Sequence, residues 1–272
     1  MGEDQLVSTG ESRFFLDLNE ELRLKTEANW YRPDPFLRRI DQLRQSHTTM
    51  ESLRAACLSR RSKQFLEARR WRKYGSIFDQ PCHWGWKDSQ NCLTFPLWLR
   101  VFPKARIVFI VRNGVDVSES LVGRERRIRS RNWFGRARYY LRSMTSRHPS
   151  ANSLSGFSHP EGFGLWKRYC ESALGAVGKL DSRQLLTLRF EDLIRSPKHH
   201  LRSLVEFVGL DLNPADIDAA AEKIIPGKGW TFVSSPALLE FYRSRNNEPL
   251  MIRFSYDQLP PTSQLHADDK PG

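Results

Sequence analysis

The sequence predicts an α/β protein built in three layers, with helices on both faces of a central parallel sheet. Two runs of strand length carry this prediction, IVFIV at residues 107–111 and LLTLRF at residues 185–190. The first run is apolar and mostly β-branched, as expected of a strand that is buried on both faces. Segments with helical periodicity precede and follow both runs. Strands that alternate with helices in this way assemble into a parallel sheet between helical layers.

The composition indicates a globular protein, which we assign to one domain at residues 1–258 and a disordered tail at 259–272. Hydrophobic residues make up 39% of the 272 positions, which suffices for a sizeable core. No apolar run approaches the ~20 residues of a membrane span, and no signal-peptide pattern opens the chain, so we expect a cytoplasmic protein. The cysteines show no CxxC spacing, which predicts reduced thiols and no metal site.

The charge balance indicates an anionic ligand. Lys and Arg number 43 against 31 Asp and Glu, which gives a net charge of +12. A surface of this sign attracts nucleic acid, anionic membranes and nucleotides that carry several phosphates. Charge alone does not choose among them.

The strand at residues 107–111 leads into the segment on which the functional prediction depends. Arg112 ends the apolar run, and Asn113-Gly114 has the composition of a turn. Asp116, with Glu119 three residues later, predicts a helix N-cap of the capping-box type. Ligands of open α/β sheets bind at the carboxyl ends of the strands, where Arg112 and the helix N-terminus offer donors suited to a phosphate.

The same segment resembles the sulfotransferase family, in its bacterial type. The resemblance rests on Pro103, Arg112, Asp116, Val117 and Ser120, with the Ser eight positions after the Arg. It implies a P-loop-NTPase-like sulfotransferase fold and sulfonate transfer from 3′-phosphoadenosine 5′-phosphosulfate (PAPS) to a hydroxyl or amine. It also implies that Arg112 and Ser120 bind the 3′-phosphate of PAPS, without a metal.

The first helical region resembles the part of that family that follows the phosphosulfate-binding loop. Residues 2–33 contain GED, ES, FF, LN, NW and a Pro in the family's order. The loop itself is a Gly-rich turn between a strand and a helix, and no such turn is found in the sequence. We therefore expect the first βα unit of the fold to be missing. A truncated gene model and a real loss are both open explanations.

The segment around Lys87 predicts the catalytic side of the site. Trp84 and Trp86 alternate about a glycine, which predicts a short strand that ends at Lys87. In the family a Lys at this place approaches the sulfonate and the bridging oxygen, although Ser stands at position 89 where the family usually has Pro. The general base stays open among Asp88, His83 and an acidic residue of the first helical region such as Glu11.

The C-terminal part adds a second candidate for phosphate binding. The sequence after the strand at residues 185–190 resembles the family's Leu-Arg-Tyr-Glu-Asp-Leu segment, with a turn at 191–193. Lys228 and Gly229 resemble a Lys-Gly segment that closes over the phosphate of the nucleotide in many sulfotransferases. A plain loop is the alternative interpretation of these two residues.

Periodicity and turn residues place the remaining elements. They predict a first helix that ends near residues 29–33, helices at 92–102, 166–180, 197–208, 211–225 and 239–256, and a long loop at 143–164. Gly209 is the predicted C-cap of the helix at 197–208.

Two other functions stay open. One is an inactive sulfotransferase-like remnant, because of the missing loop. The other is a basic polyanion-binding module, since Arg and Lys are concentrated at residues 60–73 and interleave with aromatics at 124–140. We expect a small-molecule or glycan acceptor rather than nucleic acid as the partner. The sequence does not specify the acceptor or the oligomeric state.

Overall fold

A computed structural model of the chain describes residues 6–7, 12–130, 157–178, 180–225 and 229–261. The chain divides into two compact units. The first comprises Met1–Ala105, Phe134–Ser153 and Glu171–Gly178, and the second comprises Arg106–Trp133, Leu154–Cys170 and Lys179–Gly272. The single domain predicted at residues 1–258 stays a prediction, and of the predicted tail only residues 259–261 are described.

The first unit is mostly helical. Its elements are β1 (Leu6–Val7), α1 (Arg13–Leu24), α2 (Asp34–Gln45), α3 (His47–Leu58), a 3₁₀ turn (Arg60–Ser62), α4 (Lys63–Tyr74), β2 (His83–Trp84) and α5 (Asn91–Val101). The short strands β1 and β2 pair in parallel, with Leu6 opposite His83.

Aromatic side chains form the centre of the first unit. Phe15 of α1 is fully buried and stacks on Trp86, with ring centroids 3.9 Å apart and planes inclined by 9°. Phe65 of α4 and Trp98 of α5 meet the same Phe15 ring edge-on, at 5.2 Å each. Offset stacking and edge-to-face contacts are the favourable geometries for aromatic pairs. The segment after β2 is therefore held by α1, α4 and α5 together.

The second unit carries the longer strands. Its elements are β3 (Ile107–Val111), α6 (Gly114–Arg129), the start of α7 (His159–Val177), β4 (Leu185–Arg189), α8 (Phe190–Arg195), α9 (Pro197–Val208), α10 (Pro214–Ala221), a 3₁₀ turn (Thr231–Ser234), α11 (Pro236–Arg243) and α12 (Pro249–Arg253). From Glu171 onward α7 belongs to the first unit.

Strands β3 and β4 pair in parallel over their full length, from Ile107 opposite Leu185 to Val111 opposite Arg189. Because the two strands end at the same level, Arg112 and Phe190 both follow the carboxyl edge of the pair. The strand predicted at residues 107–111 is confirmed, and the strand predicted at 185–190 is confirmed up to Arg189, since Phe190 begins α8. The helix that ends at Gly209, which has φ +75°, is confirmed as well. The α/β class with parallel strands is confirmed as well, while the three-layer arrangement stays a prediction.

Two predicted boundaries near the strands are wrong. Strand β2 ends at Trp84 rather than Lys87, because Trp86 turns inward and its indole N–H donates to Asn91 Oδ1 at 3.1 Å. Helix α1 ends at Leu24 rather than near residues 29–33, since Glu27 adopts a φ of +60°.

Helix α7 begins at His159, inside the loop predicted at 143–164; residues 143–156 lie outside the described part of the chain. Ser158 and Glu161 form a reciprocal pair at its start. The Ser158 N–H donates to Glu161 Oε2 at 2.8 Å, and the Glu161 N–H lies 3.4 Å from Ser158 Oγ. The letters SHPE are a capping box with Pro near the helix start, so the sequence contained the signal for this helix.

The C-terminal helices are shorter than predicted. Helix α10 covers Pro214–Ala221 of the predicted 211–225, and its N-cap Asn213 accepts from the Asp216 N–H at 2.9 Å. The predicted helix at 239–256 is two helices, because Pro249 starts a new one. Among the described residues, no helix combines the length and the apolar character that a membrane span requires.

Candidate functional site

Arg112 lies at the carboxyl end of β3, directly before α6. Its side chain is 28% exposed, and its guanidinium lies 5.2 Å from the centroid of the Phe190 ring. The main-chain oxygen of Arg112 accepts from Trp166 Nε1 at 3.0 Å. The structure therefore holds the backbone of Arg112 firmly while part of the permanently charged guanidinium faces solvent.

The N-cap of α6 is Asn113, and the prediction that Asp116 is the N-cap is wrong. Asn113 is fully buried, and its Oδ1 accepts from the Val115 N–H at 2.8 Å. Glu119 does not complete a capping box either, because its Oε2 lies 2.7 Å from His159 Nε2. Asn is as good a cap as Asp, and here it stands one residue before the helix.

Asp116 lies instead in the first turn of α6, with only 1% of its surface exposed. Its Oδ1 accepts from Thr231 Oγ1 at 2.6 Å and from the Phe232 N–H at 3.1 Å. Its Oδ2 lies 3.6 Å from Arg112 Nη2. Burial raises the pKa of Asp116, and the hydrogen bond from Thr231 and the charge of Arg112 oppose that rise.

Ser120 lies on the exposed side of α6. It stands four residues after Asp116, so the two side chains share one face of the helix. Because helical side chains lean toward the N-terminus, Ser120 projects toward the end of the helix where Asp116 meets Arg112. Ser118 differs, since it is fully buried and its hydroxyl donates to the Val115 carbonyl oxygen at 2.8 Å.

The polar residue Glu191, which sequence reasoning interpreted as part of a turn, is central to this region. It opens α8, is 4% exposed, and its Oε1 accepts from the Asn113 N–H at 3.0 Å. Its Oε2 contacts the Tyr256 hydroxyl, which also lies 3.1 Å from the Val111 carbonyl oxygen. Glu191 and Tyr256 thereby connect the C-terminal segment to the end of β3. A Glu directly after the strand predicted at residues 185–190 was the available signal.

A hydroxyl has one proton, so Tyr256 cannot donate to Glu191 and Val111 at once. Burial raises the pKa of Glu191, against the hydrogen bonds from Tyr256 and the Asn113 N–H. A protonated Glu191 resolves the geometry, because the carboxyl then donates to Tyr256 and Tyr256 donates to Val111. Every polar atom of the group then has a partner.

Gly229 packs against α8. A Cβ atom at Gly229 would lie 2.9 Å from Ile194 Cδ1 and 3.1 Å from Glu191 Cγ, closer than side chains normally approach. The next residue, Trp230, has a φ of +56°, which is rare for a bulky side chain. Lys228, the other predicted residue of this segment, lies outside the described residues. Within the second unit, Asp116 thus connects Arg112 to the segment that starts at Gly229, and Ser120 stands one helical turn after Asp116 on α6.

His83, Lys87 and Asp88 lie in the first unit. His83 and Lys87 are exposed, whereas Asp88 is 8% exposed. Asp88 accepts from the Gln90 N–H at 2.9 Å through Oδ1 and from Asn19 Nδ2 at 2.7 Å through Oδ2. Both carboxylate oxygens are therefore occupied. Glu11, the other candidate base, lies outside the described residues.

Asn19, which the sequence did not single out, organises this turn. It is fully buried; its Nδ2 also donates to Asn91 Oδ1 at 3.0 Å, and its Oδ1 accepts from Trp98 Nε1 at 2.7 Å. Each of the amide's heavy atoms thus has a partner, and the bonds join α1 to the turn before α5. Lys87 is carried by a turn that this network fixes.

The residues at the end of β3 have the chemistry that a phosphate group requires. Arg112 offers a partly exposed guanidinium, and Ser120 offers a hydroxyl on the exposed side of the helix that follows. The fit extends to this phosphate only, because the sequence shows no Gly-rich loop for the phosphosulfate. Among the described residues, no group of three or more His, Cys, Asp and Glu side chains is arranged to hold a metal ion.

Comparison with protein families agrees with the motif around Arg112. The model of the sulfotransferase family matches residues 3–214, which is most of the chain. No curated protein matches the chain. The matched region includes His83, Lys87, Asp88, Arg112 and Ser120 and ends before Gly229. The chain belongs to the sulfotransferase family.

Proposed function

We propose that the protein transfers the sulfonate group of PAPS to a hydroxyl or amine of a small-molecule or glycan acceptor. The observation that carries the proposal is the partly exposed Arg112 guanidinium at the carboxyl end of β3, beside Asp116 on α6. Membership of the sulfotransferase family supports the transfer chemistry. The choice of PAPS as donor rests on the arrangement of Arg112 and Ser120.

Arg112 and Ser120 are proposed to bind the 3′-phosphate. The guanidinium presents a forked set of donors that suits phosphate oxygens, and the Ser120 hydroxyl adds a neutral donor from the same helix face. Lys228 and Gly229 are proposed to close over this phosphate. The packing of Gly229 against Glu191 and Ile194 supports a fixed start for the segment that follows Lys228.

PAPS supplies an activated sulfonate. The acceptor oxygen or nitrogen forms a bond to sulfur, and the bond from sulfur to the bridging phosphate oxygen breaks. Its electron pair leaves with adenosine 3′,5′-bisphosphate, and the acceptor proton passes to a base. Lys87 is proposed to stabilise the negative charge that develops on the leaving phosphate.

His83 is the better-supported base of the two described candidates, because its side chain is exposed, whereas Asp88 is buried. Asp88 accepts hydrogen bonds through both oxygens, which suits a role in orienting the turn that carries Lys87. Reaction with a hydroxyl or amine needs no further reactant, since the donor and acceptor account for every atom.

Calorimetric titration with adenosine 3′,5′-bisphosphate tests the phosphate site. We expect Arg112→Ala to weaken binding by about 1.5–3 kcal/mol, the free energy of a hydrogen bond between charged groups. Arg127→Ala is the matched control, because Arg127 is exposed on α6, the helix that follows Arg112, and lies outside the proposed site. Equal binding by the unsubstituted protein and Arg112→Ala would exclude the proposed phosphate site. Binding of the bisphosphate without any turnover of PAPS would favour an inactive remnant.

A second candidate function is polyanion binding by the first unit. Arg60, Lys63, Arg69 and Arg72 are all exposed along α4 and the 3₁₀ turn before it. The Arg60 guanidinium also lies 5.7 Å from the centroid of the Trp71 ring. This function predicts binding of a sulfated glycan or nucleic acid that falls steeply with salt and does not change in Arg112→Ala.

A further inference from the structure

Asp116 contacts two parts of the second unit that are more than one hundred residues apart in the chain. Its Oδ2 lies 3.6 Å from Arg112 Nη2, on the residue that ends β3. Its Oδ1 accepts from Thr231 Oγ1 at 2.6 Å and from the Phe232 N–H at 3.1 Å. We infer that Asp116 is a positioning residue that holds Arg112 and the segment at residues 229–232 in one fixed arrangement around the 3′-phosphate. This inference rests on the proposed function.

The chemistry of a buried carboxylate explains why one residue can do this. A carboxylate has two oxygens. In Asp116, Oδ1 accepts the hydrogen bonds from Thr231 and Phe232, and Oδ2 forms the ion pair with Arg112 at 3.6 Å, a distance too long for a hydrogen bond. A buried negative charge is costly unless it is paired and hydrogen-bonded. Arg112 supplies the charge, and Thr231 and the Phe232 N–H supply the hydrogen bonds. The two partners therefore stabilise the same carboxylate.

Asp116 is available for this role because α6 does not need it as a cap. Asn113 already accepts from the Val115 N–H at 2.8 Å. Asp116 could have been replaced by many residues if its only task were to favour the helix N-terminus. Its complete burial and its bonds to Thr231 and Phe232 go beyond that task.

The backbone of the segment at 229–232 is strained where Asp116 holds it. Trp230 has a φ of +56°, a conformation that is unfavourable for a bulky side chain and persists only where the surroundings impose it. Gly229 is packed against Glu191 on one side of this residue, and Asp116 binds Thr231 and Phe232 on the other. Releasing Asp116 removes the polar restraint and leaves the ring contacts of Trp230 with Tyr256 and of Phe232 with Tyr242, so we expect the segment that follows Lys228 to be held less precisely.

The effect is measurable as discrimination between two nucleotides. Adenosine 3′,5′-bisphosphate and adenosine 5′-monophosphate differ only in the 3′-phosphate. The dissociation constant of the monophosphate divided by that of the bisphosphate therefore reports this phosphate alone. We expect Thr231→Val to lower that ratio about 3- to 10-fold, less than the full effect of one hydrogen bond to a charged group, because Thr231 acts on the phosphate only through the position of its segment. Thr231→Ser keeps the hydroxyl and should retain the original ratio.

A second variant tests the contact between Asp116 and Arg112. In Asp116→Asn the amide oxygen can still accept from Thr231 and Phe232, whereas the attraction to Arg112 is lost, so we again expect the ratio to fall. Ser234→Ala is the matched control for the 3₁₀ turn. Ser234 donates to the Thr231 carbonyl oxygen at 2.9 Å and is exposed, without a contact to Asp116 among the described residues. Its ratio should not change.

The outcomes separate this inference from the proposed function. An unchanged ratio in Thr231→Val, with a collapsed ratio in Arg112→Ala, overturns the positioning role alone. If Thr231→Val weakens the binding of both nucleotides equally, the positioning role is also overturned, because a general loss of structure would have this effect. An unsubstituted protein that does not prefer the bisphosphate, or an unchanged ratio in Arg112→Ala, overturns the proposed phosphate site and the inference with it.

Discussion

The two units each place a buried polar network beside predicted functional residues, and the networks differ in charge. In the first unit the network is built mainly from neutral groups, namely the amides of Asn19 and Asn91 and two indole N–H groups, with Asp88 as its acidic member. In the second unit two buried carboxyl groups, Asp116 and Glu191, lie at the end of β3. Neutral amides fix geometry at any pH, whereas buried carboxyls make the geometry depend on protonation.

This difference corresponds to the proposed roles. The turn that carries Lys87 has to be rigid, and a saturated amide network supplies rigidity. The phosphate side has to hold a cation that also binds an anion, and a carboxylate beside Arg112 orients that cation. The comparison therefore predicts that the first network contributes mainly to stability, and that the second makes stability depend on pH.

The largest effect is expected from Asn19→Leu. The substitution removes three hydrogen bonds and leaves an Asp88 oxygen, the Trp98 N–H and the Asn91 oxygen buried without that partner. We expect a loss of about 3–5 kcal/mol in the free energy of unfolding, measured by urea denaturation. Asn247→Leu, at an exposed Asn, should stay within about 0.5 kcal/mol. A small loss for Asn19→Leu would mean that the network contributes little to the first unit.

An intermediate effect is expected at the start of α6. A Cβ at Gly114 would lie 2.7 Å from atoms of both Phe163 and Trp166, whereas a Cβ at Gly123 meets only Glu119 Oε1 at 3.8 Å. Gly114→Ala should therefore destabilise the protein by about 1–3 kcal/mol. Gly123→Ala should stabilise it by about 0.5–1 kcal/mol, because Ala favours a helix interior. Thermal unfolding of the two variants tests the expected decrease for Gly114→Ala and the expected increase for Gly123→Ala. Equal changes in stability would show that polar bonds rather than close packing hold this end of α6.

The smallest effect is expected from Glu191→Gln, and it should depend on pH. Burial raises the pKa of Glu191 above its ordinary value of 4.5, so the folded protein holds this proton more tightly than the unfolded chain does. The stability contributed by the protonated carboxyl is complete below the ordinary pKa and falls as pH rises through the raised one. Gln reproduces the hydrogen bonds of the protonated form and does not titrate.

Unfolding free energies measured from acidic to neutral pH test this prediction. Glu191→Gln should match the unsubstituted protein at the acidic end and become the more stable of the two as pH rises. Asp116, whose pKa is also raised, is present in both proteins, and its charge raises the pKa of Glu191, so the difference between the two curves reports Glu191 together with this interaction. Parallel curves for the two proteins would contradict a raised pKa at Glu191.

Local sequence patterns predicted those features that depend on residues close together in the chain. The run at residues 107–111 is apolar and mostly β-branched and therefore formed a strand, and Arg112 followed its end. The spacing from Arg112 to Ser120 set their relative positions, because eight residues across a turn and a helix start leave little freedom. The family match over residues 3–214 includes both residues.

The tertiary structure decided which polar residues are buried and with whom they pair. The sequence predicted that Asp116 and Glu119 form a capping box. In the structure Asp116 binds Thr231 and Phe232, and Glu119 binds His159. No local pattern identified the partners of Asn19 and Glu191, which lie 65 to 79 residues away. A sequence pattern reports neighbours along one helix or turn. Hydrogen bonds between distant segments depend on how the chain packs, and in this protein they hold the predicted functional residues in place.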